Sequence, residues 1–487
     1  MPRAARSADD AGNAAAIARA RRASFWLDEL VVTGVDSLAP RPALTHDAEF
    51  DVCIVGGGLT ALWTAYSLTE TAPGLRIAVV EREIVGYGAS GRNGGWCSAL
   101  FPRSTESLVR AYGHDAALAM RRAIIDTVDE VGRVAEREGI ECAFAKGGTL
   151  VFARSEVQRR TARADVAAAA AFGVDEVTYI EADDLAVSAT SLDGHPVEAT
   201  RDANCARVNP AKLVRGLARV VEARGVSLFE QSEVIDWSVG SVRVRSRSPG
   251  ASSAVSMVRA QHVLIATEGY TPQFRRTRRR LMPIHSLVIA TEPLDDTIWR
   301  EIGISHGQTF SDYRHLLIYG QRTADNRFLF GGRGATYGFG SAIRDTFGSD
   351  DPIFAHLKRE LDALFPVARA ARVTHRWGGP LGVARDWHPT VSYNPASGVG
   401  FAGGYVGDGI STTNLAGRTM SDLILGRNSA LTALPWVNHR SPLWEPEPFR
   451  FLGANVGILG TGLADREEQL TQRSSLIGRA VGRLTGH

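Results

Sequence analysis

The chain has 487 residues, 44% of them apolar and 22% charged, which is enough for two or three globular domains. A formal net charge of +2 is too small to point to nucleic acid or an acidic membrane surface as a partner. Four cysteines with no C-x-x-C pair give no sign of a disulfide framework or a zinc site, so a cytoplasmic location is expected. Residues 1 to about 22 are rich in alanine and arginine and read as a frayed helix or a disordered tail. No apolar run reaches the length of a membrane helix. Only Lys146, Lys212 and Lys358 of the 55 basic residues are lysines, the rest being arginine.

The first informative stretch is DVCIVGGGLTALWTAYSLTETAPGLRIAVVE, Asp51 to Glu81. Val52 to Val55 is a short apolar run with the character of a buried parallel strand. Gly56-Gly57-Gly58 follows at once. Leu59, Leu62, Trp63, Tyr66 and Leu68 then recur on one helical face, and Pro73-Gly74 ends that helix. Ile77 to Val80 reads as a second strand with Glu81 at its end. Each residue type has a physical job here. Gly56 permits a tight turn, Gly58 lets a pyrophosphate approach the backbone, and the helix N-terminus offers free N–H groups to it. Ala61 keeps helix and strand close. Glu81 stands where a carboxylate hydrogen-bonds a ribose hydroxyl and would repel a 2′-phosphate. A glycine-rich turn alone could merely link a strand to a helix; with the helix, second strand and acid in place, it indicates a dinucleotide, FAD or NAD.

Further along, residues 105–138 read as long helices, 142–153 as two strands and 156–173 as a helix. Asn209 is a good N-cap, with Pro210 in the first turn of a helix to about 224. Residues 262–270 read as a strand running into a glycine-containing turn, and 287–294, 315–320 and 327–334 as strands, the last two forming a hairpin. Residues 399–426 read as a strand, a glycine-rich turn and a helix. Nucleotide-type elements at the start, middle and end, with sheet-rich segments between them, imply one domain interrupted by another.

Several segments together carry a likeness: VGGGLTALWTAYSL with VVERE, GYGASGRNGG, RVNPAKLVRGLARVVEARGVSLFE, VLIATEGYTP and GGYVGDGISTTNLAGRTMSDLILG. The chain resembles the glycine oxidase/D-amino-acid oxidase superfamily of FAD-dependent oxidoreductases, and within it the γ-glutamylputrescine oxidase-like branch, from about residue 24 to 457. The resemblance implies an α/β fold, α+β overall: a Rossmann-like FAD-binding domain interrupted by a substrate domain with a large mixed or antiparallel sheet. The expected FAD-binding domain takes residues 49–140, 200–282 and 372–435. The substrate domain takes 141–199 and 283–371. Residues 1–48 form a lead-in and 436–487 a tail.

The resemblance also assigns parts. Gly56, Gly58, Leu59, Thr60, Glu81 and Arg82 are expected to hold the ADP half of a non-covalent FAD. Ser90, Gly91, Arg92, Asn93, Gly94 and Gly95 would wrap the pyrophosphate and approach the flavin, small residues letting N–H groups face an anion. Val234 would meet the adenine, and Ala266-Thr267 would close the pocket. Gly404, Gly407, Gly409, Ile410 and Ser411 would lie beside the isoalloxazine, at a helix N-terminus whose dipole favours negative charge on the ring.

Departures from the resemblance bear on substrate. Sarcosine-type relatives carry a carboxylate-binding lysine where this chain has Ser411, so a simple α-amino acid is a poor fit. Asp408 replaces a histidine, and its carboxylate could draw in a cationic amine, cap the helix, or do both. Those relatives also use a lysine near the flavin to promote reaction with oxygen, and three lysines leave few candidates. Cys97 is close to the expected flavin and is a possible covalent attachment point, though a small packed residue explains it better. His285, Tyr319, Arg333, Trp377 and Tyr405 are further pocket candidates, the aromatic ones for boxing an alkyl amine. The expected activity is oxidation of a small-molecule amine, with oxygen giving hydrogen peroxide; a quinone or protein acceptor, or a purely structural flavin, are the alternatives.

Overall fold

The computed structural model describes residues 2–174, 176–248, 254–332 and 336–485. The chain enters through two helices, α1 (Pro2–Arg21) and α2 (Phe25–Val32). Ser24 N-caps α2, accepting the Leu27 N–H at 3.2 Å. The lead-in is therefore helical, and a buried ion network ties it down. Asp36 pairs with Arg215 at 2.9 Å, and Glu230, fully buried, holds both Arg41 and Arg215 at 3.0 Å.

Eight strands form the first sheet: β1 (Ala48–Val55), β2 (Ile77–Val80), β8 (Ser227–Phe229), β9 (Ser232–Ser238), β10 (Ser241–Ser246), β11 (Val255–Ile265), β17 (Thr390–Asn394) and β18 (Val399–Gly403). Its centre, β18-β11-β1-β2-β8, is parallel throughout. Antiparallel β17 edges it, and β9 and β10 fold back on β11 as an antiparallel arm. Alternate residues of β1 serve opposite faces, as a strand requires. Val52 and Ile54 join a helical layer of α3 (Leu59–Thr71), α4 (Thr105–Tyr112), α5 (His114–Arg137), α7 (Pro210–Ala223) and α10 (Gly409–Ile424). Cys53 and Val55 pack instead with Val242 and Val244 of the arm. The strand expected to run from 262 into a glycine-containing turn ends at Ile265, and Glu268–Gln273 forms that turn as a 3₁₀ segment where the chain leaves the sheet.

The second sheet holds β4 (Thr149–Ala153), β5 (Val177–Ile180), β6 (Glu198–Asp202), β12 (Met282–Thr291), β13 (Thr309–Asp312), β14 (Ile318–Arg322), β15 (Phe328–Gly332) and β16 (Val373–Val383), in the order β16-β12-β15-β14-β13-β4-β6-β5. Only β13 and β4 are parallel among its pairs, so the sheet is mixed. One face stacks Phe152, Phe310, Phe328 and Phe330 beneath α8 (Asp296–Ile302), which contributes Trp299, and α9 (Pro352–Leu364). α6 (Glu156–Phe172) flanks β4 and β5. A short ribbon, β3 (Trp96–Ser98) with β7 (Cys205–Arg207), joins the two halves.

The strand pairing moves two expected boundaries. β16 pairs with β12 along its length, so the segment from residue 372 to 383 belongs with the second sheet rather than with the nucleotide unit. Of the two strands expected over 142–153 only β4 forms; the preceding residues make a single bridge, Ala145 to Arg207, where Gly147 crosses the backbone of Gly307 too closely for any side chain. The tail folds as α11 (Phe449–Thr471) and α12 (Leu476–Thr485). Among the described residues, no helix is long and apolar enough to cross a membrane.

α10 lies on α3 at a glycine. A Cβ on Gly417 would stand 2.6 Å from the backbone carbon of Trp63, so neither helix has room for a methyl group. Gly417→Ala is expected to lower stability by about 1–3 kcal/mol through overpacking. Denaturant unfolding of the purified protein measures this, and an unchanged midpoint would contradict it.

Candidate functional site

A cavity of about 360 Å³ opens at the carboxyl ends of β1, β2 and β11. Gly56 makes the turn out of β1 at φ +102°, where a Cβ would meet the Ala266 carbonyl oxygen at 2.7 Å. Gly58 precedes α3, whose N-terminus has no side-chain cap from it. A Cβ there would stand 2.9 Å from Ser90 Oγ, the hydroxyl that accepts the Leu59 N–H at 2.9 Å. Glu81 accepts the N–H groups of Gly57 at 2.7 Å and Glu83 at 2.8 Å, and burial still pushes its carboxyl up to about 6. Gly56, Gly58, Leu59, Thr60, Glu81, Arg82, Ser90, Asn93, Val234, Ala266 and Thr267 all line this cavity, as do Gly407, Gly409 and Ile410 at its far end. A helix N-terminus with glycine at its N-cap, a glycine opening and a terminal carboxylate fit a dinucleotide's pyrophosphate and ribose.

The Ser90–Gly95 loop is held through its carbonyl oxygens. Ser24 Oγ donates to Gly91 O at 2.6 Å, Trp377 Nε1 to Arg92 O at 2.8 Å, Trp26 Nε1 to Asn93 O at 2.8 Å, and Gln321 Nε2 to Gly94 O. Four consecutive carbonyls are thereby engaged by side chains from α2, β14 and β16. Gly91, Arg92, Gly94 and Gly95 support the loop without lining the cavity. Gly91 lies against the Gly86 carbonyl, and Gly94 against the Tyr319 ring. Ser24, Trp26 and Gln321 were not expected in this role. The helix-start pattern of Ser24 before FWLDEL was a readable signal for the first two, whereas nothing local marks Gln321.

The far end is the turn before α10. Gly407, at φ +107°, and Gly409 face the cavity, and α10 begins with no side-chain cap. Gly404 and Ser411 stand behind this wall, Ser411 fully buried with its hydroxyl donating to Ser98 O. Glu268, another residue not singled out in the sequence, braces the turn. Its carboxylate accepts the N–H groups of Gly404 at 2.9 Å, Gly382 at 3.1 Å and Tyr405 at 3.3 Å, and burial pushes it up to about 7. Tyr405 lines the cavity and shares a 3.1 Å hydrogen bond with Thr60.

Of the residues expected to meet the substrate, Tyr405 lines the cavity, whereas Asp408, His285, Tyr319 and Trp377 do not. Asp408 lies between the two lining glycines at the N-cap position, but its carboxylate makes no capping hydrogen bond. His285 is buried against Phe347, accepts the Arg344 N–H at Nε2, and is pushed down to about 4 by burial, so it is a neutral core residue. Tyr319 packs its ring on Gly94 and shares a 2.9 Å hydrogen bond with Ser286 Oγ. Trp377 is buried as a holder of the loop, not free to box an amine. Arg333 lies outside the described residues. Cys97 is buried in β3 away from the cavity, and desolvation raises its thiol far above the ordinary value, which disfavours the nucleophilic thiolate. Lys146, Lys212 and Lys358 are paired with Asp129, Glu29 and Asp362 respectively, none of them at the cavity. Among the described residues, no cluster of His, Cys, Asp or Glu is placed to hold a metal.

Residues 51–423 match the family described as DAO, FAD dependent oxidoreductase. The chain belongs to that family. FAD is therefore its cofactor, and the α3 N-terminus, Glu81 and the Gly56–Gly58 turn have the chemistry that would hold it. Among similar proteins is the gamma-glutamylputrescine oxidoreductase of Escherichia coli, 28% identical over 85% of this chain and 94% of the relative. The probable oxidoreductase OrdL of Haemophilus influenzae is also 28% identical, over 80% of this chain and 86% of the relative. In fold, the chain is similar to glycine oxidase from Geobacillus kaustophilus, with a TM-score of 0.66 at 19% identity over 81% of this chain and all of the other.

Two outcomes follow from these contacts. Trp26→Phe keeps the ring but strands the Asn93 carbonyl, so it is expected to cost about 1–3 kcal/mol and to speed FAD release. Unfolding and flavin fluorescence on dilution read the two effects, and wild-type values for both would contradict it. Glu81 and Glu268, with folded values near 6 and 7 against an ordinary 4.5, bind their protons more tightly folded than unfolded. Their contribution to stability is thus full below about pH 4.5 and is lost as the pH rises through 6 to 7. Glu268→Gln cannot ionise, and its Tm is expected to fall less than that of the wild type across this window. Parallel Tm profiles would show that Glu268 does not titrate there.

Proposed function

We propose that the protein oxidises a small amine at its α-carbon to an imine, which hydrolyses to a carbonyl compound; FAD held in the cavity would supply the hydride acceptor, and oxygen would take the two electrons on to hydrogen peroxide. What carries this reading is that two helix N-termini, those of α3 and α10, neither capped by the side chain of its own N-cap residue, open into one cavity. The first suits a pyrophosphate, and the second favours negative charge on a reduced ring. The α10 end of the cavity supports an amine over an α-amino acid. Arg82 is the one cationic side chain among the described lining residues, and it stands at the Glu81 end, over the Tyr270 ring at 5.1 Å. Ser411, buried and bonded to Ser98, offers no counter-charge for a carboxylate. Asp408, beside Gly407 and Gly409, is proposed to draw the amine toward the ring. Tyr319 is proposed to position the loop from behind.

A dehydrogenase passing electrons to a quinone or protein is the second reading, supported by the carboxylate pairing of all three lysines away from the cavity. The relative named for γ-glutamylputrescine suggests an N-acylated diamine as the first substrate to try. Mixed anaerobically with γ-glutamylputrescine, other N-substituted diamines, sarcosine and aminophosphonates, the holoprotein is expected to bleach with an N-substituted diamine. Air should then restore its colour with stoichiometric peroxide. Bleaching without peroxide would select the dehydrogenase, and no bleaching by any amine would overturn the proposal. In the same assay Asp408→Asn is expected to slow reduction or weaken amine binding tenfold or more, and unchanged kinetics would remove Asp408 from the mechanism.

A further inference from the structure

α11 turns Arg450, Asn455 and Asp465 toward the body of the protein, while Arg466 stands exposed on the outer face between Leu463 and Leu470. Asn455 Oδ1 accepts the Tyr337 N–H at 2.9 Å, and its amide donates back to the Tyr337 carbonyl at 3.2 Å. Asp465 accepts the N–H groups of His315 and Leu316 at 2.7 and 3.0 Å. Arg450 is buried against Glu447 at 3.0 Å. The opposite face carries Phe449, Leu452, Val456, Leu459, Leu463 and Leu470, each 50–85% exposed. Their spacing of three, four, three, four and seven residues is that of a coiled-coil seam. No charged residue lies between Arg450 and Asp465. A Cβ on Gly453 or Gly457 would meet nothing within 4 Å, so the surface beside the stripe is low and open to a close neighbour.

We propose that this face is the interface between two copies of this chain, α11 pairing antiparallel with its counterpart about a two-fold axis near Leu459. Area supports a second copy. Six such side chains expose roughly 100 Å² each, and with the flanking glycine surface this approaches the about 800 Å² per partner of a stable interface. A single patch of this size is more than a monomer ordinarily leaves bare. Charge argues against a lipid surface, because a helix lying on a membrane carries lysine and arginine along its polar face. α11 instead ends in Asp465, Arg466, Glu467 and Glu468. Antiparallel pairing keeps the two acidic ends apart, whereas parallel pairing would set them side by side. The helix is already fixed by its inward hydrogen bonds, so little ordering remains to oppose association.

Light scattering on the full-length holoprotein, from low to high micromolar, tests this. The wild type is expected to run as two chains, and Val456→Glu and Leu459→Glu as one. Both positions are exposed, and circular dichroism with flavin absorbance verifies that each variant is folded and loaded. A single-chain wild type at high micromolar overturns the proposal, as does a two-chain particle that survives both substitutions. A single-chain wild type that sediments with vesicles of anionic phospholipid assigns the face to a membrane instead.

Discussion

The structure turns on how one short loop is held. Most of the loop stands behind the cavity wall, in a dry interior that penalises each unpaired carbonyl oxygen. Here Ser24, Trp377, Trp26 and Gln321 supply the four donors. Two come from the lead-in and two from the second sheet, so the cofactor loop is set only when both are docked on the nucleotide unit. The ion network of Asp36, Arg41, Arg215 and Glu230 serves the same end, fixing the chain just after α2 to α7 and the first sheet.

This explains which parts of the site were legible in the sequence. The glycine turn, α3, Glu81 and the turn before α10 obey local rules. A left-handed backbone needs Gly56 and Gly407, and a strand end places the acid. The first three are readable from spacing and the last from the resemblance, and Gly56, Gly58, Glu81, Gly407 and Gly409 line the cavity. The loop's supports obey no local rule. Gln321 and Gly94 are 227 positions apart, and Trp377 and Arg92 are 285 apart. Trp377 read as an aromatic wall, and His285 as a pocket residue at the entry of a strand. Only the register of β12 with β16 shows that each is buried in other contacts. Likewise, Val373–Val383 carries no mark of the sheet it joins, because pairing partners are chosen by topology.

The charges of the cavity constrain how a dinucleotide is held. Glu81, Glu83, Glu233 and Glu268 line it against a single guanidinium, Arg82. Glu83 is answered by Arg19 at 2.9 Å and by Arg247 at 2.5 Å, and Glu268 is spent on three backbone N–H groups. A pyrophosphate entering this site finds few side-chain cations, so its counter-charge must come from backbone N–H groups and helix dipoles. Those are fixed in place by the fold, so correct loop geometry and cofactor affinity become one property.

The same geometry ties the second sheet to the loop. Tyr319 and Gln321 stand on β14 with one residue between them, the tyrosine ring against Gly94 and the glutamine amide on the Gly94 carbonyl. Side chains two apart on a strand share a face, so β14 meets the loop at two adjacent points. A shift of the second sheet therefore cannot leave the loop where it was. Gly331, across from Tyr319 on β15, leaves no room for the ring to retreat, since a Cβ there would lie 2.4 Å from Tyr319 Cζ. The ring is thus fixed between two glycines on different parts of the chain. The position of the Ser90–Gly95 loop relative to the second sheet is set by packing and a hydrogen bond together, which makes β14 the element through which changes in that sheet would reach the cavity.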